Sequence, residues 1–345
     1  MNVLCTGGAG FIGSHVAKHL ITAGHSAIVL DNLDGGRIEN IPEGAKFLHG
    51  DVRRFDQVNR AFEREGIEAV VHAAAYASEG LSHWCRRHVY ENNVIGTANV
   101  VNACVNHGVK VLAFVSSAAV YGNARGPFGD IHTAKGPVEY FNFREHGIHD
   151  PIDPYGAAKN LSEIDVETAG DVFSLPWIIF RPHNVIGERQ NMADRTRNFV
   201  SIAIRHALEG KSIPIYGDGQ QVRQFSPVAH VAGVIGAAID RPTSWGRIFN
   251  VGDNEAMTIN AMADLVCELT GSRMPHRYLE QRHEAKSCVC HHGLQREHFS
   301  DIPRGDIRQT IMEMIDEAKA STILPYQDHP HLEITVNAPA WAKDT

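Results

Sequence analysis

Tyr155 and Lys159 stand four residues apart in YGAAK, a spacing that sets both side chains on one face of a helix. An ammonium beside a phenol favours the phenolate. The charge of an oxidised nicotinamide would push the same way and bring a tyrosine down from its usual value of about 10. Such a tyrosine can take a proton from a sugar hydroxyl while hydride leaves the carbon that bears it. Ser117 ends the apolar run of FVSSAAVYG and could hydrogen-bond the same hydroxyl. By itself, a tyrosine and a lysine at this spacing would usually be a surface pair. Two features nearer the start of the chain, together with that strand-end serine, change the weighting.

The first is TGGAGFIGSH, residues 6–15, which follows a short apolar run and opens an amphipathic one. Gly7 and Gly10 allow a tight turn and close backbone approach to a pyrophosphate, and Gly13 lets a helix lie against a sheet. The diphosphate would rest on the helix start, at Phe11 and Ile12, where unpaired N–H groups and the helix dipole favour an anion. The second is Leu30-Asp31-Asn32. The Asp31 carboxylate can accept from ribose hydroxyls and would repel a 2′-phosphate, which favours NAD over NADP. Arg37 is the one nearby group that would pull the other way.

These residues need a scaffold, and the rest of the chain supplies one. Apolar runs at 3–5, 27–30, 47–49, 69–72 and 111–115 alternate with amphipathic stretches at 13–23, 54–65 and 93–106. That rhythm predicts a parallel sheet with helices on both faces. Pro154 precedes a helix that opens at Tyr155, and 177–180 is a further buried strand. Residues 123–153 interrupt the pattern with seven glycines and prolines. Phe128, Tyr140, Phe141 and Phe143 could pack, so the stretch is expected to be a long ordered loop. From about 182 the composition turns polar, with helices expected near 199–209, 231–239 and 258–270 and a strand at 247–251. The division expected is 1–181 plus about 231–254 for the dinucleotide, and 182–230 plus 255–345 for a substrate.

Bulk properties exclude several classes. With 345 residues, 43% hydrophobic and 21% charged, the chain can bury a sizeable core. Net charge is -8 and no basic stripe is present, so nucleic acid is not an expected partner. No apolar run reaches the length of a membrane span, and the opening MNVLCTGG leaves no room for a signal peptide. The six cysteines are scattered, and a reduced cytoplasmic protein is expected. Cys288-Val-Cys290-His291-His292 reads as a short strand rather than a zinc pattern, so no metal is expected.

Further motifs join those above: GDV with Asp51, VVHAAA at 70–75, NNVIGT with Asn93, RPHNVIG at 181–187 and YGDGQQVRQF at 216–225. Together they make the chain resemble the extended short-chain dehydrogenase/reductases of the nucleotide-sugar epimerase/dehydratase family, and most closely the UDP-glucose 4-epimerase group. The resemblance covers about 1–320. It implies an α/β Rossmann-type doubly wound parallel sheet with a smaller mixed α/β C-terminal substrate domain. It implies that Ser117, Tyr155 and Lys159 form the catalytic set. It also implies that Asp51 and Val52 meet the adenine, that Ala73, Ala74 and Ala75 line NAD, and that Asn93 braces that wall, with Asn32 beside Asp31. Asn184, Asn198, Arg223 and Arg282 would hold the diphosphate of a UDP-sugar, and a guanidinium fork suits that group on its own merits. A homodimer formed through the helices near 93–106 and 155–169 is implied as well.

In dehydratase members of this family the strand-end hydroxyl residue is followed by an Asp-Glu pair. Ala118 and Ala119 stand there in this chain, and alanine can neither protonate a leaving hydroxyl nor remove a C5 proton. What the resemblance leaves is 4-epimerisation with retained NAD. Another oxidation-first reaction on a nucleotide sugar, or a silent NAD-binding protein, are the alternatives. The chain departs from the family pattern at Gln224, Ala229 and His230. It departs again after VVHAAA, where Ser78, Glu79 and His83 stand and the lysine of many relatives is missing. The segment 124–153 is longer than usual and is expected to cover or reshape the sugar pocket.

Overall fold

The computed structural model describes residues 1–124, 128–133, 136–196, 198–253, 255–282, 284–285, 287–326 and 331–338, with side chains left out over 128–141. The side chains of Phe128, Tyr140 and Phe141, expected to pack, therefore lie outside the described residues.

Seven strands form the main sheet: β1 Asn2–Thr6, β2 Ser26–Asp31, β3 Lys46–His49, β4 Ala69–His72, β5 Val111–Val115, β6 Trp177–Pro182 and β7 Arg247–Val251. Their order is β7-β6-β5-β4-β1-β2-β3, and every pairing is parallel. Continuous apolar runs are what such strands need, because helices cover both faces. Alternate residues serve alternate faces. Val3 and Cys5 pack with Val16 and Leu20 of helix α1 (Phe11–Thr22) and with Val231 and Ile235 of the helix Val228–Ala238. Leu4 and Phe114 pack on the other side with three helices. These are α2 (Phe55–Glu65) through Phe62, α3 (Gly96–His107) through Val100, and α4 (Pro154–Phe173) through Val166. Connections leave β1 toward β2 and leave β4 toward β5. The crevice between the carboxyl ends of β1 and β4 is thus the switch point where open sheets of this kind bind ligands.

The helix expected at 93–106 begins later, at Gly96, and a π-helical turn spans Glu91–Ile95 before it. The cause is local. Asn93 exchanges two hydrogen bonds with the Tyr76 main chain, and Asn92 Nδ2 donates to the His88 carbonyl. These anchors widen the turn.

The second lobe has its own core, where Val200, Ile204, Met262, Val266, Ile311 and Met314 interlock from the helices Phe199–Leu208, Ile259–Thr270 and Ile307–Ala320. Beside it lies a five-stranded sheet in the order Ala256–Thr258, Val222–Gln224, Ser287–Cys290, Gly136–Phe143, Phe128–Thr133. Its last two strands correct the loop expected over 123–153. They form an antiparallel hairpin, and the inner one runs parallel to the strand carrying Cys288 and Cys290. The run VEYFNF is rich in β-branched and aromatic residues, an ordinary strand signal that the surrounding glycines and prolines obscured.

Candidate active site

A cavity of about 1470 Å³ runs from the carboxyl edge of the main sheet to the second lobe. Of the residues singled out in the sequence, Gly7, Gly10, Phe11, Ile12, Asp31, Asn32, Val52, Ala73, Ala74 and Ala75 line one end of it. Ser117, Tyr155 and Lys159 line the middle, and Asn184, Asn198, Arg223 and Arg282 the side formed by the second lobe. Asp51 and Asn93 do not reach the cavity. The Asp51 carboxylate is turned to Arg53 and to Asn32 Nδ2. Burial would raise it, but the Arg53 guanidinium and amide and Asn32 outweigh that and hold it below the usual range. Asn93 lies one layer back, fastening the Tyr76 main chain.

The narrow end fits a dinucleotide. Gly7 has φ +71°, and a Cβ there would come within 2.7 Å of the Ala74 main chain, so only glycine lets these two walls approach. The first turn of α1 is preceded by Gly10 and has no side-chain cap, which leaves its amides for an anion. Asp31 is held at the end of β2 by two main-chain donors, Ala9 N at 3.0 Å and Leu33 N at 2.8 Å. Burial nonetheless pushes its carboxyl upward. Arg37 donates to Asn191 at 3.2 Å.

In the middle of the cavity Ser117 is extended at the end of β5, and its Oγ accepts from Ala119 N at 3.1 Å. The hydroxyl proton remains free to donate. Tyr155 packs on Leu81, Cys85 and Val89. Lys159, one turn on, is buried. Its Nζ donates to Val115 O at 2.6 Å and lies 4.8 Å from the centre of the Phe114 ring. Burial lowers its pKa to about 7, against the pull of Glu163. A lysine poised there can give or keep a proton near neutrality.

Ser116 turns the opposite way, into a buried polar chain that sequence reading missed. Its Oγ donates to Glu163 Oε1 at 2.5 Å. Glu163 receives the Arg181 fork at 2.9 and 2.6 Å, and Arg181 Nη1 donates to Tyr121 OH and to the Glu145 carbonyl. Tyr121 donates to Asn250 at 2.7 Å. This chain fixes the end of β5, and with it Ser117, to α4, β6 and β7.

The match to known proteins is consistent with this geometry. The model of the NAD dependent epimerase/dehydratase family matches residues 3–252, well over half of the chain. The chain belongs to that family. It is similar to a putative UDP-glucose 4-epimerase of Methanocaldococcus jannaschii, 31% identical over 79% of this chain and 83% of that one. Two solved structures are alike throughout. UDP-glucose 4-epimerase of Thermotoga maritima with UDP-glucose has a TM-score of 0.84 at 29% identity, covering 93% of this chain and 99% of that one. UDP-glucose 4-epimerase of Thermus thermophilus in complex with NAD has 0.81 at 30%, covering 93% and 100%. The dinucleotide of this epimerase/dehydratase family member is NAD, and the Gly7–Asp31 cradle fits it.

On the second-lobe side the four expected side chains differ in what they can offer. Asn198 caps the helix Phe199–Leu208, accepting from Val200 N and donating to Val185 O, so its amide is engaged. Asn184 has φ +37° and donates to Gln224 O at 3.0 Å. Arg223 donates to Ala285 O at 2.7 Å and pairs with Glu284 at 3.3 Å. The Arg282 guanidinium carbon lies over the Tyr216 ring, 3.3 Å from its centre, within cation–π range.

Cys288 and Cys290 lie on the expected strand, and His292 Nε2 meets His183 Nε2 at 2.6 Å. Asp34, His88 and His331 also come together at the cavity rim. The two imidazoles are stacked 3.6 Å apart and 10° from parallel. A metal must lie in the plane of each imidazole that binds it, and stacked rings cannot share one. The group instead pins the C-terminal segment, whose Glu333 accepts from Arg87 N and His88 N at 2.8 Å.

Proposed function

We propose that the chain is an NAD-dependent 4-epimerase of a nucleotide-diphosphate hexose, with a UDP-hexose as substrate and a transient 4-keto sugar as intermediate. One observation carries the reading: Ser117, Tyr155 and Lys159 share the cavity with Ala118 and Ala119, so the hydroxyl chemistry is equipped and the neighbouring elimination is not. NAD, when bound, supplies the acceptor and later the donor of the C4 hydrogen. Tyr155 takes the C4 hydroxyl proton, helped by the Lys159 ammonium, and Ser117 donates to the same oxygen. Return of the hydrogen to C4 on the other face of the ring, with the proton given back to the keto oxygen by Tyr155, gives the 4-epimer. Arg223, Arg282, Asn184 and the helix start at Asn198 hold the diphosphate.

The division at 1–181 plus about 231–254, against 182–230 plus 255–345, is proposed as the domain boundary, with the strands at 128–143 lent to the second lobe's sheet and Val185, Val228 and Phe299 to the main core. A homodimer is proposed from the outer face of α4 and of the turn Glu91–Ile95 that leads into α3. There Ile95, Leu161 and Ile164 are about half exposed, and an apolar recess lies between Tyr90, Val94 and Leu161. All six cysteines are free thiols, in keeping with a proposed cytoplasmic location.

The test is a proton NMR time course with UDP-, GDP-, CDP- and dTDP-sugars and no added NAD. An equal-mass isomer with a new anomeric signal is the expected result. Loss of water would move the acid–base groups to Glu79 and Asp153, and no reaction on any sugar would favour a silent NAD-binding protein. Tyr155→Phe should slow the isomerisation by about 10²–10⁴-fold while NAD content is unchanged.

A further inference from the structure

Glu79 opens the short helix Glu79–Ser82, which follows the Ala73–Ala75 wall and packs through Leu81 on Tyr155. Its side chain is exposed on the wall of the cavity. Two sets of charges face it. On one side is Asp153, two residues before Tyr155, which also faces His83 and accepts from Ser82 Oγ. On the other are Arg223 and Glu284 of the second lobe, with Cys288 beyond them. The neighbouring Gly80 looks at Arg282, whose Nη1 would lie 3.7 Å from a Cβ at that position. Glu79 therefore sits between the tyrosine that handles the C4 hydroxyl and the arginines that hold the diphosphate. Accepting the function proposed above, a hexose stretched between those points lies against Glu79.

The local field there is negative. Three carboxylates, Glu79, Asp153 and Glu284, and two guanidinium groups, Arg223 and Arg282, line this part of the cavity, and Arg223 is already paired with Glu284. A hydroxymethyl or amide-bearing hexose brings donors that a carboxylate can accept from. A hexuronate brings a second anion to the same place and is repelled. We propose that Glu79 is a specificity-determining residue, which hydrogen-bonds a neutral hexose and excludes sugars that carry a carboxylate.

A consequence is readable by pH. Desolvation by the enclosing cavity walls first, then repulsion from Asp153, raises the Glu79 carboxyl to about 7; Arg223 opposes this and Glu284 adds to it. Above that value the group is an anion and excludes hexuronates. Below it the group is neutral, and the exclusion relaxes.

The experiment is calorimetric titration of the NAD-loaded protein with UDP-glucose and with UDP-glucuronate, at pH 8 and pH 6. At pH 8 UDP-glucose should bind more tightly, by on the order of tenfold to a hundredfold for one close like-charge contact. The ratio should narrow severalfold at pH 6. In Glu79→Gln it should be small at both pH values. An unchanged ratio in Glu79→Gln, or equal binding of the two sugars by the unaltered protein at pH 8, overturns the proposal. Should Glu79→Gln fail to fold, Glu79→Ala is titrated in its place, because Lys159 also titrates near pH 7 in this cavity, and an unchanged ratio in that variant overturns the proposal. Discrimination without turnover of any UDP-sugar would support the role of Glu79 and sink the epimerase reading. Absence of binding by both UDP-sugars sinks the two together.

Discussion

Lys159, proposed above to assist Tyr155, also bears on stability. In the folded protein it gives up its proton near pH 7, whereas the unfolded chain keeps one to about 10.5. Between those values the unfolded state binds the extra proton, so through this group stability rises with pH, by at most about 1.4 kcal/mol per pH unit. Below pH 7 both states are protonated and the contribution is flat. Denaturation of the NAD-free protein from pH 6 to 9 should show that rise, and Lys159→Met should remove it. The Glu163–Arg181 pair behaves differently because it is fully buried and bidentate. Glu163→Gln leaves the Arg181 guanidinium without its counter-charge and should cost about 3–5 kcal/mol in urea unfolding. Adding Arg181→Leu should recover part of that loss. Tyr155 and Lys159 were legible because helical spacing alone puts them together. Ser116, Glu163, Arg181 and Tyr121 were not, because residues from four separate elements meet only after the sheet is built. Glu79 was noticed as a departure, yet Asp153 and Arg223, which line the same cavity, are too remote along the chain for pattern to join them to it.

Local patterns gave the first elements and failed where tertiary contacts rewrite them. β1, β2, β4 and β5 fall where apolar runs stood, and α2 where its amphipathic period stood, since both faces of a parallel sheet demand such runs. The π-helical turn at Glu91–Ile95 had no such signature, because it depends on Asn93 finding the main chain of Tyr76. The hairpin at 128–143 was hidden by its glycines and prolines, and its sheet partner, Ser287–Cys290, is remote in sequence. Phe143 at its end borders the cavity, as do Ile152 and Asp153 just beyond it. Replacing 125–142 with a short glycine-serine link should therefore shift preference among UDP-sugars more than it changes NAD content. Relative kcat/KM values and the absorbance of extracted NAD would check this, and an unchanged preference would remove the hairpin from substrate selection.

For the whole molecule, the exposed apolar strip on the helices flanking Tyr155 is the proposed dimer face. Leu161→Asp combined with Ile164→Asp should halve the mass measured by light scattering if the strip is the dimer face. A mass that stays put would place the contact elsewhere. A different consequence follows from how the five-stranded sheet is gathered. Its strands come from 128–143, 222–224, 256–258 and 287–290, and the main sheet takes its own last strands from 177–182 and 247–251, in between. Neither lobe is a continuous piece of chain. On a ribosome the hairpin emerges early and must wait, one edge bare, until residue 290 appears to pair with Phe143. Bare strand edges recruit other chains, and pairings this remote close slowly. The protein's period of greatest risk thus lies in its own synthesis, before the last strand has arrived.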